Sequence, residues 1–185
     1  MLVEVSDGAF DEWLVAVDLD APAAANPQVR TWAWLFYEEH GPLDPVMVRL
    51  ALDLRTIELL EWAMELVRAD VAATTSLHPR LEIRTESWGA GDIVFAAYNG
   101  SYRSGAGWPF AERDLLVELA DYLRDHVVED LWRAWPLCPA HGEILYPEIA
   151  GADAVWMCRR HGHAAARIGS LAPPSFAAAE AHASK

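Results

Sequence analysis

Residues 138–142 read Cys-Pro-Ala-His-Gly and residues 158–163 read Cys-Arg-Arg-His-Gly-His, with sixteen residues between His141 and Cys158. Each half is a Cys-x-x-His step followed by glycine. So tight a turn aims Cys138 and His141 at one point; Pro139 stiffens it, and Gly142 supplies the positive φ by which the chain leaves. Cys158, His161 and Gly162 repeat the arrangement. Two such turns facing each other offer two thiolates and two imidazoles, a tetrahedral donor set that suits Zn(II). His163 competes with His161 for the fourth place, because Cys-x4-His spacing also closes a chelate.

The residues between and after the turns extend this reading. EILYPEI and AVWMC suit two antiparallel strands joined at Ala150-Gly151-Ala152-Asp153, and HAAARIG suits a third. Trp156, two residues before Cys158, shares its strand face and is expected to shield the site. So small a module buries little apolar surface, so metal would supply much of its stability. Residues 135–170 resemble zinc-ribbon domains with rubredoxin-type knuckles, whose usual pattern is CPxCG and a second CxxCG. This chain departs from that pattern by placing His second in both knuckles. It is also similar to small bacterial proteins of unestablished function that end in a CPxHG…WxC…G segment. The resemblance implies Cys138, His141, Cys158 and His161 as ligands of a structural zinc, and it transfers a shape without an activity. Two other readings stand beside this one: a ribbon that keeps its shape without metal, and a Cys138–Cys158 disulfide, which a reducing compartment disfavours. A catalytic zinc needs an open coordination position and a neighbouring acid or base. Glu143 and Glu148 are close in sequence, but four ligands leave water no place to bind.

Upstream, the chain punctuates itself clearly in places. Residues 2–20 suit two readings: strands at LVEV and through the alternating Trp13, Val15, Val17 and Leu19, or, preferred, a helix capped near Ser6 and Asp7; APAAA at 21–25 reads as a linker. Asn26-Pro27 starts a helix that His40-Gly41-Pro42 stops. Trp32 to Tyr37 is apolar around the whole circumference, which requires central burial or a partner surface. Asp44-Pro45 starts a long amphipathic helix ending near Ala73, with a stripe through Val46/Met47, Leu50, Leu54, Ile57, Leu60, Met64, Val67 and Val71 assigned to the core rather than to a dimer seam. After residue 80 the period falls to two: Leu81, Ile83 and Thr85 alternate with charged residues, and IVFAAY follows a Gly-rich turn. Asn99-Gly100 predicts a two-residue hairpin and a short third strand at 101–103. A last helix is expected over 109–135, with Asp114, Glu118, Asp121, Asp125 and Glu129 along its outer face. His126 within it is read as surface or satisfied core.

The predicted architecture is therefore α+β: a helix-rich body with a small antiparallel hairpin or meander over 1–134, a three-stranded zinc-ribbon-like module over 135–170, and a flexible tail over 171–185. Hydrophobic residues make up 53% and charged residues 23%, which fits a compact fold. The net charge of −14, with Lys185 the lone lysine and the arginines scattered, argues against phosphate-driven nucleic-acid binding. The N-terminus has no signal-peptide pattern and no apolar run reaches the ~20 residues of a membrane span. A cytoplasmic protein is expected, and abundant Ala and Arg suit a GC-rich bacterial genome.

No nucleophile elbow, HExxH or Walker pattern is present. The expected role is thus a non-enzymatic zinc-binding interaction or regulatory protein that docks another protein. Trp32, Trp34, Arg159 and Arg160 are the candidate contacts. One alternative is a nucleic-acid-associated ribbon using Arg159, Arg160 and Arg167. The other is a small-ligand binder or enzyme built on the Gly100–Gly107 loop, with Tyr102 and Arg103 facing an anion.

Overall fold

The computed structural model describes residues 8–88, 91–102 and 112–173. It is a mixed α+β structure whose described elements include five helices and two antiparallel sheets. The chain divides into two compact units: residues 1–56 with 108–111, and residues 57–107 with 112–185.

The first unit holds α1 (Gly8–Ala16), α2 (Asp20–Ala25), α3 (Pro27–His40) and the start of α4 (Pro45–Thr74). The expected linker at 21–25 is in fact α2. Pro22 falls in its first turn, where no N–H is required, and the surrounding alanines are the strongest helix formers. Asn26 caps α3 as predicted, its side chain accepting from the Gln28 N–H, and Gly41 closes it at φ +76. Asp44 likewise accepts from the N–H groups of Val46 and Met47 to start α4. Phe10 is fully buried, with the rings of Trp13, Trp34 and Tyr37 around it, and the Trp13 indole donates to the Leu43 carbonyl. Central burial of α3 is not what forms. Of its residues only Val29 and Ala33 are buried, while Trp32, Trp34, Phe36 and Tyr37 pack half-exposed against that cluster.

The stripe expected on α4 is also half right. Leu60, Met64, Val67 and Val71 are buried, but Val46, Met47, Leu50 and Leu54 are 46–75% exposed. The buried face runs instead through Val48, Leu52 and Thr56, and continues through Ala63 and Asp70. Hydropathy singles out none of the last three, and only over the first half of α4 do the large aliphatics mark the exposed side.

The second unit contains the rest of α4, the hairpin β1 (Leu81–Trp88) and β2 (Gly91–Tyr98), the two-residue β3 (Ser101–Tyr102), α5 (Glu112–Leu131), and a sheet of β4 (Tyr146–Ala150), β5 (Asp153–Cys158) and β6 (His163–Arg167). β1 and β2 pair from Leu81↔Tyr98 to Trp88↔Gly91. Asn99 and Gly100, at φ +47 and +87, turn β2 into β3 as the Asn-Gly signal predicts. α5 ends at Leu131 rather than 135. His126 lies flat against Tyr98 and edge-on to Tyr122.

One core binds this unit: Leu60 and Val67 of α4, Val94 of β2, Leu119 and Leu123 of α5, and Trp135, Trp156 and Ile168 of the C-terminal segment. Residues beyond 134 therefore share a core with α4 and α5, and the contacts divide the chain near residue 56 rather than at 134. Asp70 makes the join. Wholly buried on α4, it accepts from the Trp156 indole at 2.6 Å and from the N–H groups of Gly169 and Leu171 at 2.7 Å each. Leu171, expected in a mobile tail, is 8% exposed, while the tail from 174 lies outside the described residues.

Candidate metal centre

Both Cys-x-x-His-Gly turns close in the same way. The Cys138 carbonyl accepts from the N–H groups of His141 and Gly142, and the Cys158 carbonyl accepts from those of His161 and Gly162. Gly142 and Gly162 leave their turns at φ +68 and +65, the left-handed region in which a side chain is strained. The first turn is seated in a short ladder: the Cys138 N–H donates to the Glu143 carbonyl, the Leu145 N–H to the Pro136 carbonyl, and Leu137 bridges Ile144. The second turn joins β5 to β6.

Cys138, His141, Cys158 and His163 each offer one donor atom, all within 4.8 Å of one another, and could hold a metal ion. Cys138 Sγ lies 3.4 Å from His141 Nδ1 and 3.6 Å from His163 Nε2, and Cys158 Sγ lies 3.8 Å from His141 Nδ1. Zn–S bonds of about 2.3 Å and Zn–N bonds of about 2.05 Å at tetrahedral angles place S and N about 3.6 Å apart. The three separations bracket that value. Both thiols are buried, whereas His141 is exposed.

The clustered donors include His163 and not His161, the ligand preferred from the sequence. His161 repeats the turn position of His141, so its ring stacks on that of His141 at 3.6 Å between centroids instead of completing the cluster. His163 opens β6 directly across from Cys158. Residues opposed on antiparallel strands point to one face with close Cβ atoms, which delivers the fourth donor.

Desolvation first, then the nearby His161 and His163, pull the His141 imidazole below its ordinary value, against Glu143. It therefore stands neutral, the ligating form. Desolvation pushes the Cys158 thiol up, helped by Cys138 and Glu143 and opposed by the His161 N–H. A bound divalent ion inverts that balance in favour of the thiolate.

Trp156 turns its buried indole to Asp70 and packs edge-on against Trp135. Arg159 pairs with Glu148 and lies over the Tyr146 ring, Arg160 pairs with Glu143, and Arg167 with Asp153. The basic cluster of the second knuckle is thus matched carboxylate by carboxylate. Trp32 and Trp34 belong to the first unit, and Tyr102 is placed by its backbone in β3. Arg103 and the loop to Gly107 lie outside the described residues. Sequence reasoning missed two residues: Asp70, hidden within a helical pattern, and Trp132 at the end of α5, whose φ of +51 no motif announces.

Compared with protein-family models, curated proteins and solved structures, the chain finds no match. No helix among the described residues is long and apolar enough to cross a membrane.

Proposed function

We propose that Cys138, His141, Cys158 and His163 bind one structural Zn(II) in a ribbon-like module, and that the chain is a non-enzymatic interaction or regulatory protein that docks another protein. The observation that carries the reading is the set of S···N separations of 3.4, 3.6 and 3.8 Å from buried thiols held by paired turns. When bound, zinc supplies cross-linking: it ties the 138–142 turn to β5 and β6 with no reaction of its own. Cys138 and Cys158 serve as anionic ligands, and the cross-strand pairing of Cys158 with His163 holds their side chains on one face. A docking role is favoured over nucleic-acid binding because Arg159, Arg160 and Arg167 already face carboxylates.

Native mass spectrometry of the intact protein, before and after a chelator, tests the metal. One zinc per chain is expected, lost on chelation together with a lower melting temperature. Metal-free protein that gains no zinc from a stoichiometric supply refutes the site.

A further inference from the structure

Trp132 is 94% exposed. Its left-handed backbone, at φ +51, is rare and strained for a bulky residue. At this position, just past the end of a helix, glycine is the usual residue and carries neither burden. An indole held here against both is an outlier of the kind that clusters at functional surfaces, and Trp is enriched at the energetic centres of interfaces. It borders a shallow, open groove with Val128, Glu129, Arg133, Ala134 and Ile144. Leu137, 42% exposed, pairs with Ile144 in the ladder that seats the first metal turn. One groove wall is therefore fixed by the same backbone that presents Cys138 and His141.

The groove itself is near neutral, since its lining carries one acid, Glu129, and one base, Arg133. Charge comes from α5, which carries seven carboxylates against Arg113 and Arg124. Asp114, Glu118, Asp121, Asp125 and Glu129 follow one another at helical spacing along one face, ending beside Trp132. Within the row Arg124 engages Asp121 and Asp125, and the His126 ring lies 3.3 Å from Glu129. At 1.5 Å per residue the row is about 22 Å long, the reach of roughly seven extended residues.

We propose that this groove and row dock a basic segment of a partner protein, with one apolar side chain against Trp132 and Lys or Arg side chains along α5. The proposal rests on the docking reading above and adds its surface and the chemistry of its partner. Complementary charge brings the segment in and sets its direction, while the indole supplies most of the hold.

The probe is a panel of labelled ten-residue peptides with Lys or Arg at alternate positions and one Leu, Phe or Trp near either end. Controls replace the basic residues by Glu, or the apolar one by Ala. Fluorescence anisotropy is recorded on the full chain after its zinc content has been measured. Preferred binding of basic, apolar-anchored members is expected, weakening as salt rises. Trp132→Gly, which suits the positive φ, should weaken it about tenfold or more without lowering the melting temperature. A Glu118→Gln, Asp125→Asn, Glu129→Gln variant should flatten the salt dependence. Binding no better than the Glu controls, full affinity in Trp132→Gly, or a Trp132-dependent dimer in place of peptide binding each overturns the proposal. Zinc content is read separately, so a failed metal site and a failed groove are told apart.

Discussion

Replacing Asp70 by alanine is expected to unseat the C-terminal segment from α4. Three N–H donors converge on this carboxylate, from Trp156, Gly169 and Leu171. Hydrogen bonds to a charged acceptor contribute about 1.5–3 kcal/mol each, but desolvation of the carboxylate offsets much of that, and the three behave as one network. Removing one partner of a buried charged network costs about 3–5 kcal/mol, and Asp70→Ala belongs in that range. Asp70→Asn turns its carbonyl to Trp156 and Gly169 and sets its NH2 against the Leu171 N–H, for a loss of about 1–3 kcal/mol. Urea unfolding followed by far-ultraviolet circular dichroism measures both, and hydrogen exchange at Gly169 and Leu171 localises the effect. An alanine variant that loses less than about 1 kcal/mol, the range of ordinary surface changes, refutes the reasoning.

Burial raises the Asp70 carboxyl above its ordinary 3.8, outweighing the Trp156, Leu171 and Gly169 donors that lower it. The folded protein therefore holds this proton longer than the unfolded chain. The stabilisation linked to it is full below pH 3.8 and is lost as pH rises through the folded value. The gap between Asp70 and Asp70→Asn should accordingly narrow with rising pH in unfolding curves across that window. Gly169 is at φ +89, where an added Cβ would lie 2.7 Å from Leu66 Cδ2 and 3.3 Å from its Cα. Gly169→Ala should cost at least about 2 kcal/mol in the same unfolding assay, because strain and overlap add at a residue that also donates to Asp70. His163→Ala should weaken zinc binding at least about tenfold in a competition titration with a chromogenic chelator, while His161→Ala leaves the stoichiometry at one; equal losses would reject the ligand assignment.

The sequence is most readable where a residue type has one physical use. Asn26-Pro27, Asp44-Pro45 and Asn99-Gly100 each specify a backbone geometry, and each forms it. The paired Cys-x-x-His-Gly turns are legible for the same reason. The fourth donor is not, because it depends on register: only the pairing of Cys158 with His163 puts them on one face, and spacing alone leaves His161 equivalent. The α4 surface misleads because its buried face uses Thr56, Ala63 and Asp70, whose burial depends on what packs there rather than on hydropathy. APAAA reads as a linker by composition, yet four alanines and a first-turn proline are helical chemistry. Trp132 carries no signal in the sequence, since nothing in its neighbours requires a left-handed residue.

The bonds of Asp70 to Gly169 and Leu171 span 99 and 101 positions of the chain. A ribosome adding about 5–20 residues per second leaves that carboxylate without its donors for roughly 5–20 s. Late in that interval α4, the β1–β2 hairpin and α5 have been made but lack the segment that completes their core. The buried acid is thus completed only by late-made residues, 169–171, which close the core of the second unit.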